Sequence, residues 1–103
     1  MKPLLIGGEW ITTSHAVPNV NPSDTSDIID EYAQAGQAEA QTAIEVAATA
    51  FESWAYSTPQ QRHDVLKAAG DEIFARREEI GRLLSREEGK ILAEGIAETI
   101  RAS

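Results

Sequence analysis

The period of the hydrophobic positions changes about a third of the way along the chain. Up to residue 35 the apolar residues occur in short β-prone runs, and from about Ala38 they recur every three to four residues. Short β-prone runs between turn residues are typical of strands, and a repeat of three to four gives a helix one apolar side. The pattern therefore predicts a hairpin, a loop and a strand at residues 1–35 and a helical segment at residues 36–103.

The N-terminal segment opens with a predicted β-hairpin over residues 4–12. Two β-prone runs, residues 4–6 and 9–12, flank Gly7 and Gly8, which can supply the positive φ angles of a tight turn. The glycine pair lacks the G-x-G-x-x-G spacing and the strand-to-helix context of a dinucleotide-binding loop. A hairpin turn is therefore the better interpretation of these two residues.

Residues 13–25 are predicted to form a loop that leads into one further strand. Pro18 and Pro22 remove backbone donors, and the Asn-Pro-Ser-Asp run at residues 21–24 favours a turn. The apolar members of the next segment, residues 27–33, are Ile28, Ile29, Tyr32 and Ala33. This segment is better interpreted as a strand than as a helix.

A first helix is predicted from about Ala38 to Ala55, with an unusually wide apolar surface. Six apolar residues form a stripe along one side: Ala40, Ile44, Ala47, Ala48, Phe51 and Ala55. Four more widen that stripe to nearly two thirds of the circumference: Ala43, Val46, Ala50 and Trp54. A helix this apolar is expected to be covered on two sides.

Two or three further helices are predicted after residue 57. Thr58 is placed as an N-cap, with Pro59 at the first helical position and Gln61 completing a capping box, and this helix runs to about Ala75. A third run, residues 77–88, is followed by Gly89, which suits the left-handed position after a helix. A last apolar stripe at residues 92–100 is still running when the sequence stops, which we interpret as a cut within a domain.

Composition and charge narrow the classes of function. The 103 residues carry seventeen acids, nine bases and no cysteine, for a net charge of −8. This balance argues against nucleic acid and anionic membranes as partners. No apolar run is longer than three residues, the length of the run at residues 4–6, so none can span a bilayer. The absence of cysteine excludes disulfides, thiolate metal sites and a cysteine nucleophile within this chain, and we expect a cytoplasmic location.

Candidate catalytic and metal-binding groups are sparse. His15 and His63 are the only histidines, and without cysteine they make a poor set of metal ligands. Ser85, His63 and Asp64 could act as nucleophile, base and orienting acid, but no strand-turn-helix elbow surrounds any serine. These side chains are therefore interpreted as surface groups, and no catalytic, cofactor-binding or metal-binding residue is predicted.

Five groups of residues, taken in order, carry a family resemblance. They are Ile6-Gly7-Gly8-Glu9-Trp10, Asn21-Pro22-Ser23, residues 43–54, residues 57–62 with Pro59 ahead of Arg62, and Glu87-Glu88-Gly89-Lys90. In this order and spacing they resemble the N-terminal segment of the NAD(P)-dependent aldehyde dehydrogenase superfamily. Residues 84–90, followed by residues 94–96 and 101–102, most resemble the branch that oxidises 2-oxoglutarate semialdehyde (2,5-dioxopentanoate).

The resemblance implies an α+β fragment whose helices pack on an α/β dinucleotide-binding domain in the full enzyme. Together, residues 1–35 and 36–103 would form an incomplete N-terminal part of one cofactor-binding domain. The family's cysteine nucleophile, its general base and its strand-to-helix dinucleotide turn all lie later in the sequence. NAD or NADP is therefore expected to bind the parent enzyme and not this segment alone. Arg101 is the one candidate assigned to the substrate entrance, where it would meet a carboxylate-bearing substrate.

Three hypotheses follow for the function. The leading one is that the chain is the N-terminal fragment of an aldehyde dehydrogenase, inactive by itself, whose partner is the remainder of a homo-oligomeric enzyme. The second is a stand-alone helical module that associates with copies of itself through its apolar helix faces. The third is a small acidic domain whose function the sequence does not reveal.

Overall fold

The computed structural model describes residues 1–103 and contains four strands and four helices. The strands are β1 (Leu4–Ile6), β2 (Glu9–Ile11), β3 (Ala16–Val20) and β4 (Ile28–Ala33), and the helices are α1 (Gln37–Ala55), α2 (Pro59–Ala75), α3 (Arg77–Glu88) and α4 (Leu92–Ala102). The predicted α+β fold class is confirmed, together with the hairpin, the later strand and the helices. None of the four helices combines the length and the apolar character that crossing a bilayer requires.

The contacts divide the chain into two compact units, which are described separately. The first unit consists of Met1–Asn19 and Asp30–Ser57, and the second consists of Val20–Ile29 and Thr58–Ser103.

In the first unit, a β-hairpin is joined to β4 and packs on α1. Strands β1 and β2 are antiparallel with Leu4 opposite Ile11, and the turn residues Gly7 and Gly8 have φ angles of 64° and 85°. Positive φ at both positions is what a two-residue hairpin turn requires, so the interpretation of the glycine pair is confirmed. Ahead of β1, the Lys2 carbonyl accepts a 2.9 Å hydrogen bond from the amide of Ala33.

The prediction of a loop throughout residues 13–25 is wrong, because residues 16–20 form β3 and pair with β4. Pro18 lies inside this strand. Strand β3 pairs with β4 alone and is therefore an edge strand, which is where a sheet tolerates proline. The predicted turn at residues 21–24 is confirmed just after β3, where the amide of Asp24 donates to the Asn21 carbonyl at 3.2 Å.

In the second unit, α2 begins at the predicted capping box. The Thr58 hydroxyl accepts from the Gln61 amide at 3.2 Å, and the Gln61 side chain accepts from the Thr58 amide at 2.8 Å. Pro59 occupies the first helical turn. The cap was predictable because it depends only on neighbouring residues, which satisfy two otherwise unpaired amides.

Helices α3 and α4 cross at two glycines in unusually close contact. A Cβ atom on Gly81 would lie 2.7 Å from the backbone nitrogen of Ile96, and one on Gly95 would collide with the carbonyl oxygen of Gly81. Thr99 is 3% exposed and donates its hydroxyl hydrogen to the Gly95 carbonyl at 2.9 Å. The two helices can approach this closely because Gly81 and Gly95 have no side chains. The buried Thr99 hydroxyl forms its hydrogen bond within α4.

Very little apolar surface is buried elsewhere. Ala33 is the one buried hydrophobic residue. The apolar positions of α2 predict a buried face of Val65, Leu66, Ala69, Ile73 and Phe74. That prediction is wrong for Val65 and Leu66, which are 57% and 64% exposed. The helices thus present apolar faces that the chain itself does not cover.

Candidate functional site

Two of the motifs that carry the family resemblance meet in space within the second unit. Residues 21–27 lie against residues 86–90 at the end of α3, and we call this contact the loop–helix clamp. The Ser23 hydroxyl donates to the Gly89 carbonyl at 3.4 Å, across 66 residues of sequence. A turn and a helix end that lie far apart in the chain therefore form one structural feature.

Glycine is the only residue type that position 89 can accept without strain. Its φ of 74° lies in the left-handed region, as predicted for the residue that follows α3. A Cβ atom there would lie 2.9 Å from Ser23 Oγ and 3.0 Å from Pro22 Cγ. Both the backbone conformation and the close approach of the loop require glycine.

An ion pair between Arg86 and Asp27 holds the clamp together. Arg86 donates from Nε to one Asp27 carboxylate oxygen at 3.0 Å and from Nη2 to the other at 2.5 Å, and Asn21 Nδ2 donates at 3.1 Å. The hydrogen bonds from Arg86, and then from Asn21, hold the pKa of Asp27 below its ordinary value. The same pairing raises the pKa of Arg86. Two parallel N–H···O bonds fix the position of the loop relative to α3 and pair the Asp27 carboxylate with a positive charge.

Lys90 extends the polar network from the end of α3 to α4. Its side chain is 17% exposed, and Nζ lies 2.6 Å from a Glu88 oxygen and 2.7 Å from a Glu98 oxygen. Hydrogen bonds to Glu88, and then to Glu98, raise the pKa of Lys90. The Ser85 hydroxyl donates to the Lys90 carbonyl at 2.5 Å. One ammonium bridges two carboxylates and so ties the end of α3 to α4, which is an arrangement that orients a backbone and does not activate a nucleophile.

The candidate catalytic and metal-binding residues are not brought together. Ser85 is engaged with the Lys90 carbonyl, while His63 Nδ1 lies 3.2 Å from its neighbour Asp64 on an exposed part of α2. His15 Nδ1 lies 2.9 Å from the Ser14 hydroxyl. No three His, Cys, Asp or Glu side chains converge on a point that could hold a metal ion.

Arg101 lies in the last turn of α4 and is exposed. Its charge contributes to lowering the pKa of Glu98, although the hydrogen bond from Lys90 is the main cause of that shift. The structure places Arg101 on an accessible surface. Its assignment to the substrate entrance remains a prediction.

The helix N-termini of this chain do not fit the pyrophosphate of a dinucleotide. Such a group needs free backbone N–H groups at the start of a helix, next to a glycine-rich turn. At α1 the Gly36 amide is already bonded to the Glu39 carboxylate at 2.8 Å, and at α2 Thr58 and Gln61 cap each other. Helices α3 and α4 carry acidic residues in their first turns. No step of cofactor chemistry is therefore assigned to these residues.

Sequence reasoning missed both the Arg86–Asp27 pair and the glycine crossing. The pair joins residues 59 positions apart, for which a single sequence carries no signal. The crossing did leave a signal, because glycine inside a helix costs about 1 kcal/mol relative to alanine and so marks a close approach. Gly81 and Gly95 both lie inside predicted helical segments.

We expect the clamp to loosen in acid because of Asp27. Its lowered pKa means that its contribution to stability is complete above the ordinary aspartate value of about 3.9 and is lost as the pH falls through the lower folded value. The nuclear magnetic resonance signal of Arg86 Nε–H should therefore move toward that of a free guanidinium below about pH 4. In Asp27→Asn it should hardly change over this range, and Asp71→Asn, on the exposed side of α2, should titrate like the wild type. A wild-type Arg86 signal that does not respond to acid would contradict the pairing.

Comparison with known proteins places the chain in a family. The sequence model of the aldehyde dehydrogenase family matches residues 10–103. A 1-pyrroline-5-carboxylate dehydrogenase 2 from Bacillus subtilis (strain 168) is 37% identical over 100 residues, which cover 97% of this chain and 19% of that protein. A second relative, from Bacillus pumilus (strain SAFR-032), is 36% identical, and both are named 1-pyrroline-5-carboxylate dehydrogenases, not 2-oxoglutarate semialdehyde dehydrogenases as residues 84–102 suggested.

Solved structures agree with this assignment. A 1-pyrroline-5-carboxylate dehydrogenase mutant from Thermus thermophilus matches with a TM-score of 0.91 and 35% identity, over 96% of this chain and 19% of that one. A betaine aldehyde dehydrogenase mutant from Staphylococcus aureus, in complex with NAD⁺, matches with a TM-score of 0.88 and 29% identity, over 95% of this chain and 21% of that one. The chain spans about a fifth of the length of these proteins, and it belongs to the aldehyde dehydrogenase family.

Proposed function

We propose that this chain is the N-terminal structural portion of an NAD(P)-dependent dehydrogenase that oxidises an aldehyde to a carboxylic acid. The observation that carries the proposal is the match of nearly the whole chain to about 19% of a dehydrogenase. Residues 1–103 then form an incomplete part of one cofactor-binding domain, in a parent enzyme that assembles from identical subunits.

The role of the segment in that enzyme is support. The loop–helix clamp fixes a loop against α3, the glycine crossing fixes α3 against α4, and both leave the apolar helix faces available for packing. Aldehyde oxidation in this family starts from a cysteine thiolate, and the chain contains no cysteine. The segment alone is therefore inactive.

The substrate we propose is 1-pyrroline-5-carboxylate, in its ring-opened aldehyde form. The support comes from the names of relatives at 35–37% identity. Both this compound and 2-oxoglutarate semialdehyde carry a carboxylate on a short chain. Enzymes for these two compounds can therefore share motifs in their N-terminal segments. This similarity explains why residues 84–102 suggested the 2-oxoglutarate semialdehyde branch.

A grafted enzyme tests the proposed function. In this graft the present chain replaces the matching 100 residues of the Bacillus subtilis 1-pyrroline-5-carboxylate dehydrogenase 2. We expect the graft to reduce NAD⁺ in the presence of 1-pyrroline-5-carboxylate, and we expect the isolated chain to show the rate of a boiled control. A folded but inactive graft, or NAD⁺ reduction by the isolated chain, would contradict the proposal.

The same graft tests Arg101. If this arginine gathers a carboxylate-bearing substrate, Arg101→Ala should raise KM for 1-pyrroline-5-carboxylate about fivefold and leave kcat unchanged, because only uniform binding is lost. Arg82→Ala removes an exposed arginine from α3 and should leave both constants unchanged. Equal effects of the two substitutions would remove Arg101 from the substrate entrance.

A further inference from the structure

A lysine just after α3 reaches across to α4 and binds a carboxylate there. The Lys90 side chain is 17% exposed, and its Nζ lies 2.7 Å from an oxygen of Glu98. Two features fix the backbone of this lysine. Gly89 before it has a left-handed φ of 74°, and the Lys90 carbonyl accepts the Ser85 hydroxyl at 2.5 Å. The end of α3 therefore holds the lysine in place, in addition to the ion pair.

Glu98 is also the acidic residue of α4 that lies beside Arg101. The two residues are three positions apart, and on a helix that spacing makes side chains neighbours. Glu94, the other acid of α4, is almost two turns from Arg101. The hydrogen bond from Lys90 is the main cause of the lowered pKa of Glu98, and the charge of Arg101 adds to it. The Glu98 carboxylate is thus within the influence of two cations, and it is bound to the lysine.

Arg101 keeps a guanidinium that no carboxylate of the chain occupies. Arg76 and Arg86, in the same unit, each form an ion pair, whereas Arg101 is exposed and forms none. A guanidinium binds a carboxylate through two parallel N–H···O bonds, so an acid of its own helix would compete with a ligand for it. The Lys90–Glu98 pair removes the one neighbouring acid of α4 from this competition.

We propose that Lys90 is a positioning residue for Arg101: by holding the Glu98 carboxylate, it leaves the Arg101 guanidinium available to the carboxylate of the aldehyde substrate. The inference rests on the proposed function and on the assignment of Arg101 to the substrate entrance. A lysine that only tied α3 to α4 would affect stability. A lysine that keeps an arginine available also affects how tightly the substrate binds.

The test removes the ammonium group from the grafted enzyme. Lys90→Met keeps an unbranched apolar side chain and leaves Glu98 without its partner. We expect KM for 1-pyrroline-5-carboxylate to rise about threefold with kcat unchanged, because Glu98 then pairs with Arg101 for part of the time. The rise should be smaller than that caused by Arg101→Ala, since an exposed ion pair is only partly formed. In the Arg101→Ala graft, Lys90→Met should have no further effect on KM.

Two matched second substitutions separate this effect from a loss of stability. Glu88 and Glu98 both bind Lys90, at 2.6 Å and 2.7 Å. Only Glu98 lies on α4, one turn from Arg101. Glu98→Gln should therefore return KM of the Lys90→Met graft to the value of the unmodified graft, and Glu88→Gln should not. Both should recover urea stability to a similar extent, because each removes one of the two carboxylates that the lysine held together.

The outcomes separate this inference from the proposed function. An unmodified graft without activity counts against the proposed function. An active graft in which both glutamine substitutions restore KM, or neither does, overturns the role of Lys90 and leaves the function standing. A further rise in KM when Lys90→Met is added to the Arg101→Ala graft would show that the lysine acts without the arginine, which overturns the inference as well.

Discussion

Gly81→Ala is expected to be among the most damaging single substitutions in the chain, although alanine is the better helix former. The new Cβ would lie 2.7 Å from the Cα and nitrogen of Ile96, and backbone atoms cannot move aside as a flexible side chain can. Gaining alanine is worth about 1 kcal/mol in helix propensity. Overpacking costs about 1–3 kcal/mol and occasionally more, and forcing two helices apart belongs at the upper end. We expect a net loss of about 2 kcal/mol in the urea unfolding of the grafted enzyme.

Gly70→Ala is the matched control. The Cβ added there would lie 3.2 Å from the carbonyl carbon of Ser103, a contact that a shift of a few tenths of an ångström relieves, whereas the contacts at Gly81 are 2.7 Å. The substitution should be neutral or should stabilise α2 by up to about 1 kcal/mol, as propensity alone dictates. Equal effects of the two substitutions would show that the crossing of α3 and α4 tolerates a methyl group.

The isolated chain is expected to unfold gradually. The steepness of urea unfolding scales with the surface newly exposed, and here Ala33 is the one buried hydrophobic residue while seventeen large apolar residues are already exposed. We expect a slope below about 1 kcal/mol per molar urea and a strong response of a hydrophobic dye before any urea is added. The grafted enzyme should unfold steeply and bind little dye. A single steep transition of the isolated chain would contradict the view that its apolar faces require cover.

Local features of the fold were predictable because adjacent residues determine them. Gly7-Gly8, the Thr58–Gln61 capping box and Gly89 all act through conformations or hydrogen bonds within a few residues. The helix stripes followed from the period of the apolar positions in the same way. What the period could not show is whether a stripe is covered, since that depends on residues elsewhere.

Features that join distant parts of the chain were not predictable in the same way. Strand β3 contains Pro18, and its existence depends on pairing with β4 and not on its own propensity. The Arg86–Asp27 pair depends on a loop and a helix end meeting in space. The family was identifiable from the sequence, but the motifs at residues 84–102 suggested a branch that the names of the relatives do not support.

The central claim is that the remainder of a dehydrogenase covers the apolar faces of this chain, and hydrogen exchange at α1 tests it most directly. Amide exchange of residues 44–51 would be measured in the isolated chain and in the grafted enzyme under the same conditions. We expect exchange about 100-fold slower or more in the graft, because opening α1 there requires breaking its contacts with the rest of the enzyme. Equal exchange rates in the two proteins would show that α1 stays uncovered and would contradict the claim.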